Sequence, residues 1–277
     1  MVGAHLSGLA IYKMTGSGND FVVLDGRHSA PEDWAPADIA TLCARHTGVG
    51  ADGLVFLSPG SSDGSVRVVY FNNDGSRAVC GNACLCSIRL AAHLGLANPL
   101  GMRLETDAGV FEGRSVRDDH RCELRFTGVS APVAVPGISV GQGERALLVT
   151  VGVPHLIVQV KDVGPIDVAH RGEPLRHHSA LGPDGANVDF VAPSETRGEW
   201  RMRTYERGVE AETLACGTGS VAAACALDTW GAGDLPISIR TTSGALLDVR
   251  GHRNAVGGYD DIWLVGGARL VYRGVVA

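Results

Sequence analysis

At 277 residues the chain is long enough for two domains of roughly 100–150 residues each. Its 45% hydrophobic and 19% charged residues supply packed cores and exclude a disordered chain. A net charge of −6 with no Lys/Arg cluster excludes a nucleic-acid surface, and no run approaches the roughly 20 apolar residues of a membrane helix. The N-terminal residues show no basic, apolar leader, so a soluble, cytoplasmic protein is expected. Glycine, 38 of 277, is about twice its usual share of roughly 7%, which predicts many tight turns between short strands.

In chain order, residues 33–46, with Pro36 near the start and Gly48 after the end, predict a surface helix. Residues 66–71 read as a strand, followed by the polar turn Asn72-Asn73-Asp74-Gly75 and then Cys80-Gly81-Asn82. Leu85, Ile88, Ala91, Ala92 and Leu94 lie at helical spacing and predict a buried helix stopping near Gly95. An alternating strand, 102–106, and a turn at Gly109 follow. Residues 132–143, rich in Gly and Pro, are the expected linker, and His177-His178 lies in a polar, solvated loop.

The second half repeats this plan. Residues 200–205 read as a strand, Glu206-Arg207-Gly208 as a turn, and Cys216-Gly217-Thr218-Gly219 opens a small, apolar helix stopping near Gly231. Residues 237–242 and Gly244 repeat the strand and turn, with Thr106 and Thr242 equally far past their cysteines. Asn19-Asp20-Phe21-Val22 also echoes Asn187-Val188-Asp189-Phe190-Val191. These matches predict an α+β fold of two pseudo-symmetric domains, 1–130 and 131–277, each a mixed or antiparallel β-sheet wrapped around a central α-helix. The last strand is free to pack back on the first half.

Seven cysteines, with no C-x-x-C spacing, are expected to be free thiols. Cys43, Cys122 and Cys225 read as core, as do Cys84 and Cys86. Cys80 and Cys216 differ because each stands at the start of a helix, where unpaired N–H groups and the helix dipole lower a thiol's pKa. The same N–H groups, freed by Gly81 and Gly217, form an anion site for a carboxylate. Two thiols beside one carboxylate suit removal of a proton from one face of an α-carbon and its return to the other. No metal cluster and no lysine motif for an aldehyde cofactor is evident, so no cofactor and no metal is expected.

The ordered motifs then carry a resemblance. Residues 13–26 (KMTGSGNDFVVLDG), 48–53 (GVGADG), 72–76 (NNDGS), 80–82 (CGN), 152–155 (GVPH), Asn187, 205–208 (YERG) and 212–219 (ETLACGTG) resemble the diaminopimelate epimerase family over nearly the whole chain. The resemblance implies interconversion of LL- and meso-2,6-diaminopimelate in lysine and peptidoglycan-precursor biosynthesis, with Cys80 and Cys216 as the two bases and often a homodimer. It implies substrate contacts at Asn19, Asn72, Asn187, Glu206 and Arg207, and a reacting-centre carboxylate held by Gly81, Asn82, Gly217 and Thr218. It gives His155 and Glu206 the tuning of the thiols.

The chain departs from the family pattern at Ala83-Cys84-Leu85-Cys86, where Gly-Ala-Arg-Cys is usual. It also departs at Val153, often asparagine, and at Gly53, often glutamine. These departures leave open a racemase of another amino acid on the same scaffold. Thiol redox exchange among Cys80, Cys84 and Cys86 is the alternative of a different class. The partner expected is a small amino-acid substrate, with no nucleic acid and no membrane.

Overall fold

The computed structural model describes residues 6–116 and 120–277. They form a mixed α+β fold with four α-helices among the described residues. The chain divides into two compact units, Met1–Leu124 with Gly266–Ala277, and Arg125–Val265.

The first unit contains β1 (Ala10–Gly16), β2 (Asn19–Asp25), α1 (Pro36–Cys43), β3 (Gly53–Pro59), β4 (Ser65–Asn72), β5 (Arg77–Ala78), α2 (Gly81–His93), β6 (Met102–Thr106), β7 (Gly109–Ser115) and the first part of β8 (Arg121–Phe126). Its strands lie in the order β1-β2-β3-β4-β6-β7-β8, with β5 added against β4. From β1 to β7 the pairings run antiparallel, parallel, antiparallel, parallel, antiparallel.

The second unit contains β9 (Arg145–Val151), β10 (Val153–Gln159), α3 (Val168–Arg176), β11 (Asn187–Pro193), β12 (Glu199–Glu206), β13 (Ala211–Thr213), α4 (Gly217–Thr229), β14 (Ile237–Arg240), β15 (Leu246–Arg253) and the first part of β16 (Tyr259–Val275). From β9 to β15 the pairings again run antiparallel, parallel, antiparallel, parallel, antiparallel. Beyond Gly266, β16 belongs to the first unit and pairs antiparallel with β1, Met14 opposite Leu270 and Tyr12 opposite Arg273.

The strands of both units are covered on two faces. Val22, Leu24, Leu54 and Phe56 pack with Ile39, Leu42 and Cys43 of α1, while the alternate residues Phe21, Val23 and Val55 are buried on the other face. Period-two alternation with both sets apolar is the signature of such doubly covered strands. In the second unit Leu156, Val158, Val188 and Phe190 pack with Val168 and Leu175 of α3. The alternate positions there include His155 and Asp189, both fully buried.

The helices α2 and α4 are buried almost all round, as a helix without a polar face must be. Small residues make this possible: Ala83, Cys84, Cys86, Ser87 and Ala91 in α2, and Ala222, Ala223, Ala224 and Ala226 in α4. Gly95 (φ +67°) and Gly231 (φ +64°) follow the two helix ends in the left-handed conformation that terminates helices. The expected surface helix is the shorter α1, exposed on one side only. Residues 132–143 carry no helix or strand beyond a bridge from Val133 to Leu148.

Two of the sequence echoes fail in the fold. Asn19 opens β2, whereas Asn187 opens β11, the strand that takes β3's place in the pairing order. The residue opposite Phe21 on β3 is Gly53, and the residue opposite His155 on β11 is Asn187. Asn187 therefore corresponds in register to Gly53, and the shared Asn-Phe-Val spelling reflects buried-strand composition. The threonine that bonds across the second turn is Thr241, whose Oγ1 donates to the Ala245 carbonyl as Thr106 Oγ1 donates to Gly109, so the match at Thr242 is one residue late.

Candidate functional site

Each sequence-selected cysteine stands at the residue just before its helix, and only Cys216 makes a side-chain capping hydrogen bond. Cys80 (φ −130°, ψ 123°) precedes α2 and Cys216 (φ −129°, ψ 112°) precedes α4, both with extended backbone. A residue in that conformation turns the chain so that the following N–H groups, unpaired within the helix, surround its side chain. At Cys216 this is realised directly: Gly219 N–H donates to Sγ over 3.3 Å, and Thr218 Oγ1 lies 3.5 Å from Sγ.

The surroundings of Cys80 in the first unit are amides anchored by charge. Asn82, 1% exposed at the second position of α2, donates from Nδ2 to Asn19 Oδ1 at 2.8 Å. Asn19 Nδ2 donates to Asp52 Oδ2 at 3.0 Å, and the same oxygen accepts from the Asp20 backbone N–H at 3.1 Å. Arg45 bridges Asp20 and Asp52, and Lys13 Nζ sits 2.6 Å from Asp20 Oδ2 while also donating to the Gly50 carbonyl. A carboxylate only accepts, so Asp52 fixes which way the Asn19 amide faces and, through it, the Asn82 amide. Asn82 Oδ1 is left as a buried acceptor without a hydrogen-bond partner among the described residues. Asn72 is turned to Ser76 Oγ at 3.0 Å.

Around Cys216 in the second unit the groups are ionisable. His155 Nδ1 meets Asp189 Oδ2 at 2.7 Å, and His155 Nε2 meets Thr218 Oγ1 at 3.1 Å. Thr204 Oγ1 donates to Asp189 Oδ1 at 2.6 Å. Asn187, 4% exposed, accepts the Arg207 backbone N–H at 2.8 Å and has Nδ2 3.5 Å from His155 Nε2. Burial raises the Glu206 pKa, with the Asp189 carboxylate adding to the rise and His155 opposing it.

The expectation that the helix start lowers the thiol pKa is overturned at Cys216. Burial pushes this thiol well above its ordinary value, and the Glu206 and Asp189 charges push it further. Thr218 and the Gly219 N–H favour the thiolate, but they do not outweigh a nearly dry setting beside two carboxylates. Burial and the two carboxylates thus favour the protonated form of Cys216. Burial raises Cys84 to about 12 and raises Cys86 as well, as befits two thiols enclosed in α2.

The structure thus gathers Cys80, Gly81, Asn82 and Asn19 around one helix start. It gathers Cys216, Gly217, Thr218, His155, Asn187, Glu206 and Arg207 around the other. Sequence reasoning missed Asp52, Asp189 and Thr204. The available signal for Asp189 was a lone carboxylate inside the apolar run 188–192. The departure at Gly53 has a local reason: a Cβ there would meet the Tyr70 ring and, at 2.7 Å, its hydroxyl. Among the described residues no group of three His, Cys, Asp or Glu side chains is placed to hold a metal ion, and no helix is long and apolar enough to cross a membrane.

Comparison with known proteins follows the same residues. The family model for diaminopimelate epimerase matches residues 11–130 and 147–255. The chain is 44% identical over 250 residues to a diaminopimelate epimerase from Gemmatimonas aurantiaca, covering 87% of each chain. It is 36% identical over 253 residues to that of Aquifex aeolicus, covering 87% of this chain and 89% of the relative. Among solved structures it is similar to a probable proline racemase from Agrobacterium radiobacter K84 (TM-score 0.71, 16% identity, 97% of this chain and 93% of that one). It is also similar to a hydroxyproline epimerase from Agrobacterium vitis (TM-score 0.70, 16% identity, 97% and 92%). At such identities the likeness to these two is one of fold.

Proposed function

This chain belongs to the diaminopimelate epimerase family, and we propose that it inverts one α-carbon of 2,6-diaminopimelate using Cys80 and Cys216 as paired acid and base. Epimerisation of diaminopimelate in lysine biosynthesis is the function that this membership carries. The observation that carries the mechanism is the matched placement of the two cysteines, each immediately before the start of a buried helix of 13 residues. One sulfur, as thiolate, takes the α-proton, and the other, as thiol, returns a proton to the opposite face. The roles exchange when the reaction runs backward. The substrate carboxylate is held by the N–H groups of Gly81, Asn82, Gly217 and Thr218, which also stabilise the charge developing beside the α-carbon.

Asn19, Asn72, Asn187, Glu206 and Arg207 are the remaining substrate contacts, Arg207 serving the distal carboxylate by a two-pronged contact. The repeated pairing order supports the reading of two pseudo-symmetric halves that arose by duplication. We place the enzyme in the cytoplasm, as a homodimer, working without a cofactor.

The test is incubation with LL-diaminopimelate in D₂O, followed by NMR. Meso product labelled at one α-carbon is expected, and Cys80→Ala or Cys216→Ala should each lower turnover by at least about 10³-fold, within the range of acid–base catalysis. Turnover that survives loss of either thiol overturns the two-base reading.

A further inference from the structure

The side chains Cys216, Thr218, His155, Asp189 and Thr204 form an unbroken series of polar contacts at 3.5, 3.1, 2.7 and 2.6 Å, buried among apolar strands. Its direction follows from what each group can do. Asp189 only accepts, so neutral His155 carries its proton on Nδ1 and offers Nε2 as an acceptor. Thr218 O–H can then donate to Nε2 and accept from the Cys216 S–H. Thr204 O–H occupies the other Asp189 oxygen. His155, Asp189 and Thr204 are at most 2% exposed, so the series ends inside the protein and serves no exchange with solvent.

The same register positions in the first unit hold Phe21, Val55 and Tyr70, since Phe21 lies opposite Gly53 and Val55 opposite Tyr70 as His155 lies opposite Asn187 and Asp189 opposite Thr204. A buried Asp–His pair is expensive to maintain, and the matching register positions of the first unit hold none.

We propose that Asp189, acting through His155 and the Thr218 hydroxyl, is a positioning residue that gives the Cys216 proton a place to go, making Cys216 the thiol whose ionisation is internally relayed. This rests on the reading of Cys216 as an acid–base group. In the step, the S–H bond breaks as a proton passes to Thr218 Oγ1. The original Thr218 O–H proton passes to His155 Nε2. The products are a Cys216 thiolate and a His155 imidazolium beside the Asp189 carboxylate, with no net loss or gain of protons. Reversal returns the proton when Cys216 next acts as an acid.

The charged and titratable groups facing the pair are Asp189 on β11, Glu206 on β12 and His155 on β10, with the Gly219 N–H and the α4 start on the helix side. Asn187, also on β11, offers its amide near Nε2. Two opposite effects of Asp189 can therefore be separated by sign. Acting directly, its negative charge disfavours a nearby thiolate. Acting through the relay, it favours the thiolate by holding the imidazolium.

The test follows thiolate ultraviolet absorbance against pH in Cys80→Ala protein, taken as the difference from Cys80→Ala/Cys216→Ala. It needs no substrate, so it stands apart from any failure of the epimerase assay. Asp189→Asn keeps the shape and can still accept from Nδ1–H. The relay predicts that its thiolate midpoint rises by about one pH unit, a tenfold loss of thiolate below the midpoint. In a Thr218→Val background, where the link is cut, the same Asp189→Asn change should lower the midpoint, and Thr218→Ser should preserve the original behaviour. In the otherwise unmodified enzyme, Asp189→Asn should reduce kcat about tenfold or more with little change in KM. A midpoint that falls or stays fixed in Asp189→Asn overturns the relay, as does an effect of the same sign in both backgrounds. Circular dichroism of each variant separates these outcomes from unfolding.

Discussion

His155 and Asp189 stand on neighbouring parallel strands, two register positions apart, and still meet at 2.7 Å. His155 lies opposite Asn187 while Asp189 lies opposite Ile157, so both side chains share the face turned toward α4 and touch diagonally. Removing the ring alone leaves a carboxylate in the core with Thr204 as its one side-chain donor among the described residues. His155→Phe, which installs the residue found at the matching position of the first unit, should cost about 3–5 kcal/mol by urea unfolding. Adding Asp189→Val, again the first unit's residue, should recover a good part of that loss.

Asp52 controls an amide that the substrate is proposed to meet. Asp52→Asn keeps the shape but removes the obligatory acceptor, so Asn19 can rotate and release Asn82. KM for diaminopimelate should rise about tenfold, roughly 1.4 kcal/mol of binding, with kcat changed much less. Steady-state kinetics of the variant provide the check.

Glu206 should make stability depend on pH in an unusual sense for a carboxyl. Its pKa is raised in the folded state, chiefly by burial. Its contribution is therefore fully present below the unfolded-state pKa and is lost as pH rises through the folded value. Glu206→Gln should melt at a higher temperature than the unaltered enzyme at pH 8, with the difference shrinking toward pH 4. Turnover should be lost at both pH values, since the carboxylate is assigned to the substrate. Thermal melts across this range would test the sign.

Gly219 is confined by the site itself. A Cβ there would stand 2.7 Å from Asp189 Oδ1 and 3.2 Å from Cys216 Sγ, two groups already held by hydrogen bonds. Gly219→Ala should destabilise the protein by about 1–3 kcal/mol through overpacking and should slow turnover. In Asp189→Gly protein the same substitution should cost less, measurable as a double-mutant cycle.

What the sequence revealed was whatever depends on local pattern. The two cysteines, the helices behind them and the glycines that end those helices all follow from spacing and from small, apolar composition. The family motifs pointed to Asn19, Asn82, Asn187 and Glu206, which the fold sets near the two helix starts. What stayed hidden depends on contacts between distant strands. Asp189 lies inside a run that reads as buried core, and nothing local says that His155 from β10 will reach it. Asp52 reads as a turn residue until Asn19 and Arg45 arrive from other elements. The expected lowering of the Cys216 pKa fails for the same reason. A helix start is visible in sequence, but the burial and the two carboxylates that outweigh it are assembled by the fold.

The long strand β16 sets an order on how the chain can be completed during synthesis. Every part of the second unit is contiguous, so it can close as soon as residue 265 has emerged. The first unit, although translated first, has β1 paired on the β2 side alone until residues 268–275 arrive. Through most of translation it must therefore wait with an open edge, a vulnerable state for a β-rich segment. A purified chain ending at residue 265 should accordingly carry a protease-resistant second unit and a first unit that can still be cut.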